Sequence, residues 1–189
     1  MKEKEDRRVR KTKRLLREGL AKLMLEKPVK NITVREISEL VDINRGTFYL
    51  HYKDIYDMVE QIQNEIFEEF YEIVNSYEIT QSDNDFLAML TDIFKFLRDN
   101  SELAKSLIGK NGDVAFVERL KNLLRDKCFM ELSEKHKIRS EENFLYYYSF
   151  IISGSIGIFQ RWLNNGMKET PEEMAAFMEK LIHEGMAGL

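Results

Sequence analysis

The sequence predicts an all-α protein of about nine helices, and three observations support this fold class. Helix-favouring Leu, Glu, Lys and Met are frequent, whereas the 189 residues include only 9 glycines and 2 prolines. Apolar residues recur at intervals of three and four along most of the chain, as they do on one face of a helix. Clusters of Gly, Pro, Asn and Asp fall between these periodic stretches and indicate loops.

The first predicted helix follows a short charged tail and ends at Lys27, because the residue before Pro28 is displaced from the α region. Its predicted buried stripe consists of Val9, Leu16, Leu20 and Leu23. Its first turns are rich in cations, namely Arg7, Arg8, Arg10, Lys11, Lys13, Arg14 and Arg17. These cations either form a solvated basic face or reach the phosphates of a nucleic acid.

Residues 33–44 predict a short helix followed by a tight turn. Thr33 is a good N-cap, and Glu36 three residues later completes a capping box. Residues 42–44, Asp-Ile-Asn, interrupt the helical pattern, because Asp and Asn side chains bond to their own backbone and favour turns.

A second short helix is predicted after Asn44, which can cap it, and in this helix Phe48 and Tyr52 lie four residues apart. Its outward positions are Arg45, Thr47, Tyr49, His51 and then Lys53. The two helices and their turn predict a helix-turn-helix, whose second helix can lie in the DNA major groove. The alternative is an ordinary solvated helical hairpin.

The distribution of charge also points to a polyanionic partner. Residues 1–53 contain 15 Lys or Arg and 8 Asp or Glu, a balance of +7, whereas residues 54–189 contain 14 and 25, a balance of −11. A basic amino-terminal third on an acidic body is typical of a nucleic-acid-binding protein. Charge alone would fit an anionic membrane surface equally well, and the helix-turn-helix favours DNA.

The run TVREISELVDINRGTFYLHYKD resembles the DNA-binding signature of the TetR/AcrR family of bacterial transcriptional regulators, over roughly residues 8–60. The resemblance implies a helix-turn-helix domain at 1–53, a connecting helix at 54–76 and a helical regulatory and dimerisation domain at 77–189. It also implies a double-stranded DNA operator as partner and a location in the bacterial cytoplasm. The charged amino terminus, without an apolar core segment, predicts no secretory signal.

The resemblance further implies a set of DNA-contacting residues, namely Thr33, Arg35, Asn44, Arg45, Gly46, Thr47, Tyr49, Leu50, His51 and Lys53. Two positions depart from the family pattern. Leu50 stands where many relatives have a larger or polar side chain, so a base contact there would be apolar. Ile55 stands where a second Lys often occurs, which leaves one phosphate contact in question.

The remaining chain predicts six further helices, at 54–76, 82–100, 101–109, 114–136, 143–165 and from Thr170 onward. The helix at 143–165 is the most apolar, and a membrane span is its alternative interpretation. Its uninterrupted apolar part is shorter than the roughly 20 residues that a bilayer requires. A helix apolar around much of its circumference is better explained by burial on both sides.

Two apolar carboxy-terminal helices predict a two-fold four-helix interface and hence a homodimer. The predicted interface residues are Ile152, Ile156, Phe159, Trp162, Met174, Phe177, Met178 and Leu181. A dimer presents two reading heads about one DNA turn apart, so a palindromic operator is expected. Residues 162–175 also resemble the subgroup of TetR regulators that control dihydroxyacetone kinase operons.

Enzymatic functions receive little support from the sequence. The three histidines are scattered, none at metal-ligand spacing with another His or with Cys128, and no phosphate-binding glycine loop is present. The single cysteine excludes an internal disulfide and is interpreted as a small buried apolar residue, with redox sensing as the alternative. We therefore expect neither catalytic residues, nor metal, nor cofactor.

The sequence says least about the effector, the molecule that regulates the protein. The family places a ligand pocket among the middle helices, and the candidate lining is Phe86, Met89, Phe94, Phe116, Tyr147 and Phe150. Each of these residues could equally belong to a simple core. The expectation is a repressor that a small molecule releases from its operator. The alternative is a regulator, activating in output, whose carboxy-terminal domain docks a partner protein.

Overall fold

The computed structural model describes residues 7–78, 83–109, 111–136 and 141–186, without the side chains of residues 83, 128–136, 141, 185 and 186. The described residues form nine α-helices and a 3-10 turn at Val29–Asn31. In chain order the helices are α1 Arg7–Glu26, α2 Val34–Leu40, α3 Arg45–Tyr49, α4 Ile55–Asn75, α5 Asp83–Asp99, α6 Ser101–Leu107, α7 Val114–His136, α8 Glu141–Asn164 and α9 Pro171–Met186. The predicted all-α fold is confirmed.

The chain divides into two compact units that do not follow the sequence order. The first unit comprises Met1–Ile66 and Glu102–Asp113, and the second comprises Phe67–Ser101 and Val114–Leu189. The long helix α4 therefore belongs to both units, and most of α6 with the loop after it belongs to the first. The predicted division into a DNA-binding and a regulatory domain is a statement about function and stays a prediction.

The first unit is built around α1 and α2. Gly19 permits their close approach, because a Cβ atom there would lie 2.5 Å from Cγ1 of Val41. Its core is formed by Leu16, Leu20, Met24, Ile37, Phe48, Tyr52, Met58, Ile62 and Leu107. Asn111 closes the end of α1, since its side-chain amide donates to the carbonyl oxygen of Met24 at 3.0 Å. That carbonyl is one of the last four of the helix, which have no partner within it.

The second unit is built mainly on the packing of α5 against α9. Phe94 of α5 is fully buried, with its ring 4.8 Å from that of Phe159 and 5.2 Å from that of Trp162, both on α8. Gly166, at φ +80°, ends α8 in the left-handed conformation that the sequence predicts. Among the described residues, no helix has the length and apolarity needed to cross a bilayer.

Candidate nucleic-acid interface

Local hydrogen bonds fix the helix α2 and the turn after it. The capping box is present as predicted, since the Thr33 hydroxyl accepts from the Glu36 amide while the Glu36 carboxylate accepts from the Thr33 amide. Asp42 adopts a left-handed conformation at φ +54°, which Asp tolerates better than most residues. The Ile43 amide then donates to the Ser38 carbonyl oxygen at 3.0 Å. These bonds set the direction in which the next helix begins.

The helix α3 is short and is held by a cap and an anchor. The Asn44 side chain accepts from the Gly46 amide at 2.8 Å, which caps the helix as predicted. Phe48 is completely buried and Tyr52 is nearly so. The regular helix ends at Tyr49, earlier than predicted, because the amides of the following residues bond back to the Phe48 carbonyl oxygen in turns.

The structure leaves all ten predicted DNA-contacting residues at the surface of the first unit. Eight are exposed, namely Thr33, Arg35, Asn44, Arg45, Gly46, Tyr49, Leu50 and Lys53, and Thr47 and His51 are partly exposed. Tyr49 and Leu50 are large apolar side chains with exposed fractions of 58% and 80%. All ten residues are therefore accessible to DNA, and their contact with DNA stays a prediction.

The capping hydrogen bonds also give a structural role to two residues that the family resemblance places in contact with DNA. Thr33 and Asn44 use their side-chain oxygens to cap α2 and α3, so they help to position α3. At Gly46 a Cβ atom would lie 3.3 Å from the Asn44 carboxamide oxygen. Glycine therefore gives room to the cap, in addition to any close approach of DNA.

Two acidic residues that the sequence interpretation missed contact two of the predicted DNA-binding residues, one through a side chain and one through the backbone. The Arg35 Nε donates to the Glu39 carboxylate at 2.7 Å, which raises the pKa of the arginine above its ordinary value. The Lys53 amide donates to Asp57 at 2.8 Å, and this bond is the main cause of the lowered pKa of Asp57. The i,i+4 spacing of Arg35 and Glu39 could have shown the first contact. The Asp54-x-x-Asp57 capping pattern could have shown the second.

The candidate ligand-binding residues of the second unit do not share one environment. Four of them, Phe86, Met89, Phe94 and Phe116, are buried. Tyr147 is partly buried, and its hydroxyl donates to the Ile182 carbonyl oxygen of α9 at 2.6 Å. Phe150 is 74% exposed, so within one protomer it lies on the surface rather than in the interior. Only the first five could line an internal pocket of a single chain.

The candidate dimer residues are likewise divided. Trp162, Met174 and Met178 are buried within the protomer, so they offer little surface to a second chain. Phe177 and Leu181 are exposed, and Ile152, Ile156 and Phe159 are partly exposed. The sequence interpretation missed Tyr146, an exposed aromatic residue one helical turn before Phe150. The spacing of four residues between Tyr146 and Phe150 places both on one helical face, and this spacing could have indicated Tyr146 from the sequence.

Chemical sites of other kinds find no support in the part of the chain that the structure describes. No group of three or more His, Cys, Asp or Glu is arranged to hold a metal ion among these residues. The side chain of Cys128 lies outside the described residues, so its predicted burial is not tested.

Comparison with known proteins gives the family context. A TetR family model, described as "Transcriptional regulator C-terminal region", matches residues 84–184, more than half of the chain. A sequence comparison with curated proteins gives no match.

Solved structures resemble the chain over nearly its whole length. A TetR transcriptional regulator from Streptococcus agalactiae 2603V is 23% identical, with a TM-score of 0.60 over 94% of this chain and 96% of that one. FadR from Bacillus subtilis in complex with stearoyl-CoA is 15% identical, with a TM-score of 0.66 over 90% and 97%. The dihydroxyacetone kinase operon activator DhaS is 18% identical, with a TM-score of 0.57 over 92% and 94%. At these identities the likeness shows the fold.

Proposed function

The chain belongs to the TetR family of DNA-binding transcriptional regulators, which are not enzymes, and we propose that it is a homodimeric repressor released from a palindromic operator by a ligand. The observation that supports this proposal best is the surface of α3. A five-residue helix, capped at one end and anchored by one buried ring, turns its other side chains outward. A rigid, short helix with an exposed face suits insertion into the major groove.

The side chains on that surface have the chemistry that DNA recognition needs. Arg45 stands at the start of α3 and can donate two parallel hydrogen bonds to the O6 and N7 atoms of guanine. Tyr49 is held at one edge by Phe48, with the ring centroids 5.5 Å apart and the planes at 88°. The rest of its side chain is exposed. Lys53, in the turn between α3 and α4, supplies a phosphate contact.

The first experiment selects binding sites for the purified protein from a random duplex library and measures affinity for the enriched site. We expect Arg45→Ala and Tyr49→Ala each to weaken binding by about 1–3 kcal/mol per half-site. The matched controls are Arg98→Ala and Tyr71→Ala, which remove an exposed arginine and an exposed tyrosine from the second unit. Unchanged affinity in both test variants would contradict the assignment of α3 as the reading helix.

Dimerisation is proposed through the exposed face of α8. Tyr146 and Phe150 are exposed there, and the next turns along the same helix contain Gly154 and Gly157. Apart from its chain neighbours and the backbone of α8 itself, a Cβ atom at either glycine would have no heavy atom of the described residues within 4 Å. A glycine inside a helix costs about 1 kcal/mol relative to alanine. Close approach of a second helix would account for two of them on an open face.

The variant Gly154→Leu tests this interface selectively. The protomer has open space at that position, and leucine is a better helix former than glycine, so the fold should be kept. We expect a monomer in analytical ultracentrifugation and a large loss of operator affinity. Asn122→Leu, a substitution at an exposed position of α7, is the matched control. A dimer of unchanged stability would remove α8 from the interface.

Fewer observations bear on which molecule releases the protein from its operator. The buried aromatic and Met residues of α5 offer an apolar environment, and a ligand would have to enter among them. FadR is in complex with stearoyl-CoA, and DhaS is an activator of a dihydroxyacetone kinase operon. Stearoyl-CoA and dihydroxyacetone are therefore the first probes for release of the operator. Release by dihydroxyacetone would also support membership of the subgroup that residues 162–175 resemble.

A second candidate function is supported by the exposed aromatic face of α8. If Tyr146 and Phe150 are not covered by a second copy, they form a surface on which a partner protein can dock. The output could then be activation. A Gly154→Leu variant that stays dimeric would favour this second function over the first.

A further inference from the structure

Leu50 is the most exposed large apolar side chain among the described residues, with 80% of its surface accessible. Burial of a leucine side chain stabilises a protein relative to exposure, because it removes apolar surface from water. In the same short helix Phe48 is completely buried, so the local fold does bury an apolar side chain where one faces inward. The outward leucine contributes nothing comparable to the fold.

The backbone holds Leu50 on the outer end of the reading helix. Its φ of −71° and ψ of −18° are helical, so its side chain follows the path of α3 beside the exposed Tyr49. Leu50 lies five residues after Arg45, which corresponds to about 7.5 Å along a helix axis. Five residues also turn about 140° around a helix axis, so the side chains of Leu50 and Arg45 lie on different sides of the helical path and would contact different base pairs.

We infer that Leu50 is a specificity-determining residue that recognises the 5-methyl group of a thymine in each operator half-site. This inference rests on the proposed DNA-binding role of α3. A leucine side chain has no hydrogen-bond donor or acceptor, so it cannot distinguish bases by their polar edges. The thymine methyl is the apolar group that base pairs present in the major groove. An exposed leucine at this position therefore selects thymine.

The test removes the methyl group without changing the hydrogen-bonding edges of the base. After selection of the binding site from a random duplex library, each thymine of one half-site is replaced in turn by deoxyuridine. One replacement should weaken binding of the wild-type protein about fourfold, the value of one buried methyl. The other replacements should have little effect.

The variant Leu50→Ala completes the test. It should bind thymine and deoxyuridine sites equally, whereas Leu25→Ala, which truncates an exposed leucine of α1, should keep the fourfold difference. Both variants should melt like the wild type, because neither side chain is buried. The inference is overturned if no deoxyuridine replacement matters, or if the sensitive thymine stays sensitive in Leu50→Ala. Failure of the library to enrich any site would instead contradict the proposed function.

Discussion

The helices α3 and α8 both expose apolar side chains, but they are formed in different ways. α3 has five residues, and its position depends on Asn44 before it and Phe48 within it. α8 has 24 residues, with Trp162 buried in the protomer and Phe150 exposed on it. The first helix is therefore set by local signals, and the second by packing at long sequence separation. The difference predicts that loss of a cap displaces α3, whereas α8 depends most on the buried side chains that pack against it.

The largest expected effect is that of Phe94→Ala in the second unit. Its ring is fully buried against Phe159 and Trp162, so truncation creates a cavity. We expect the free energy of unfolding to fall by about 3–5 kcal/mol in a denaturant titration.

The matched control for this variant is Val114→Ala, which shortens a side chain that is 76% exposed in the same unit. Its stability should change by less than about 0.5 kcal/mol. A loss below about 1 kcal/mol in Phe94→Ala would indicate that this part of the second unit is loosely packed. An open cavity for a ligand would then be the better description of the site.

The second effect compares one capping box in each unit. Thr33 exchanges hydrogen bonds with Glu36, and Thr170 exchanges the same two bonds with Glu173 at the start of α9. Each threonine-to-alanine variant should lose about 1 kcal/mol of stability. Only Thr33→Ala should also weaken DNA binding, because α2 positions α3. Equal DNA affinity in the two variants would argue against that positioning role.

The contrast between local signals and packing at long sequence separation also explains which features the sequence could predict. The turn at residues 42–44, the caps at Thr33, Asn44 and Thr170, and the left-handed Gly166 are local signals, and the structure has all of them. The sequence does not show as clearly which faces of α8 and α9 are buried, because both helices have apolar residues around much of their circumference. The burial of Trp162 depends on Phe94 of α5, which is distant in the sequence.

The third prediction concerns Ser38 in α2 and has the opposite sign. Its hydroxyl is buried and has no hydrogen-bond partner within the part of the chain that the structure describes. Burying such a group costs about 1–3 kcal/mol, and alanine is also the better helix former. We expect Ser38→Ala to raise the free energy of unfolding by about 1 kcal/mol. Decreased stability would show that the hydroxyl has a partner in solution.

The smallest expected effects are changes in stability at low pH and at high pH. Each unit contains the group responsible for one of them. In the first unit the pKa of Glu36 is lowered to about 2, mainly by the hydrogen bond from Lys27 and then by those from Thr33. In the second unit the hydrogen bond from Tyr77 to Asp92 is the main cause that raises the pKa of the tyrosine to about 12. Each bond favours one protonation state of its group in the folded chain.

The two groups should therefore destabilise the protein at opposite extremes. The folded pKa of Glu36 is below its ordinary 4.5, so its contribution is complete above about pH 4.5 and is lost as the pH falls toward 2. The folded pKa of Tyr77 is above its ordinary 10.0, so its contribution is complete below pH 10.0 and is lost as the pH rises through 12. Denaturant titrations across pH should show that Glu36→Gln removes part of the acid dependence and leaves the alkaline limb unchanged. Tyr77→Phe should do the reverse. If both variants changed the same limb, the two hydrogen bonds would not act independently in the two units.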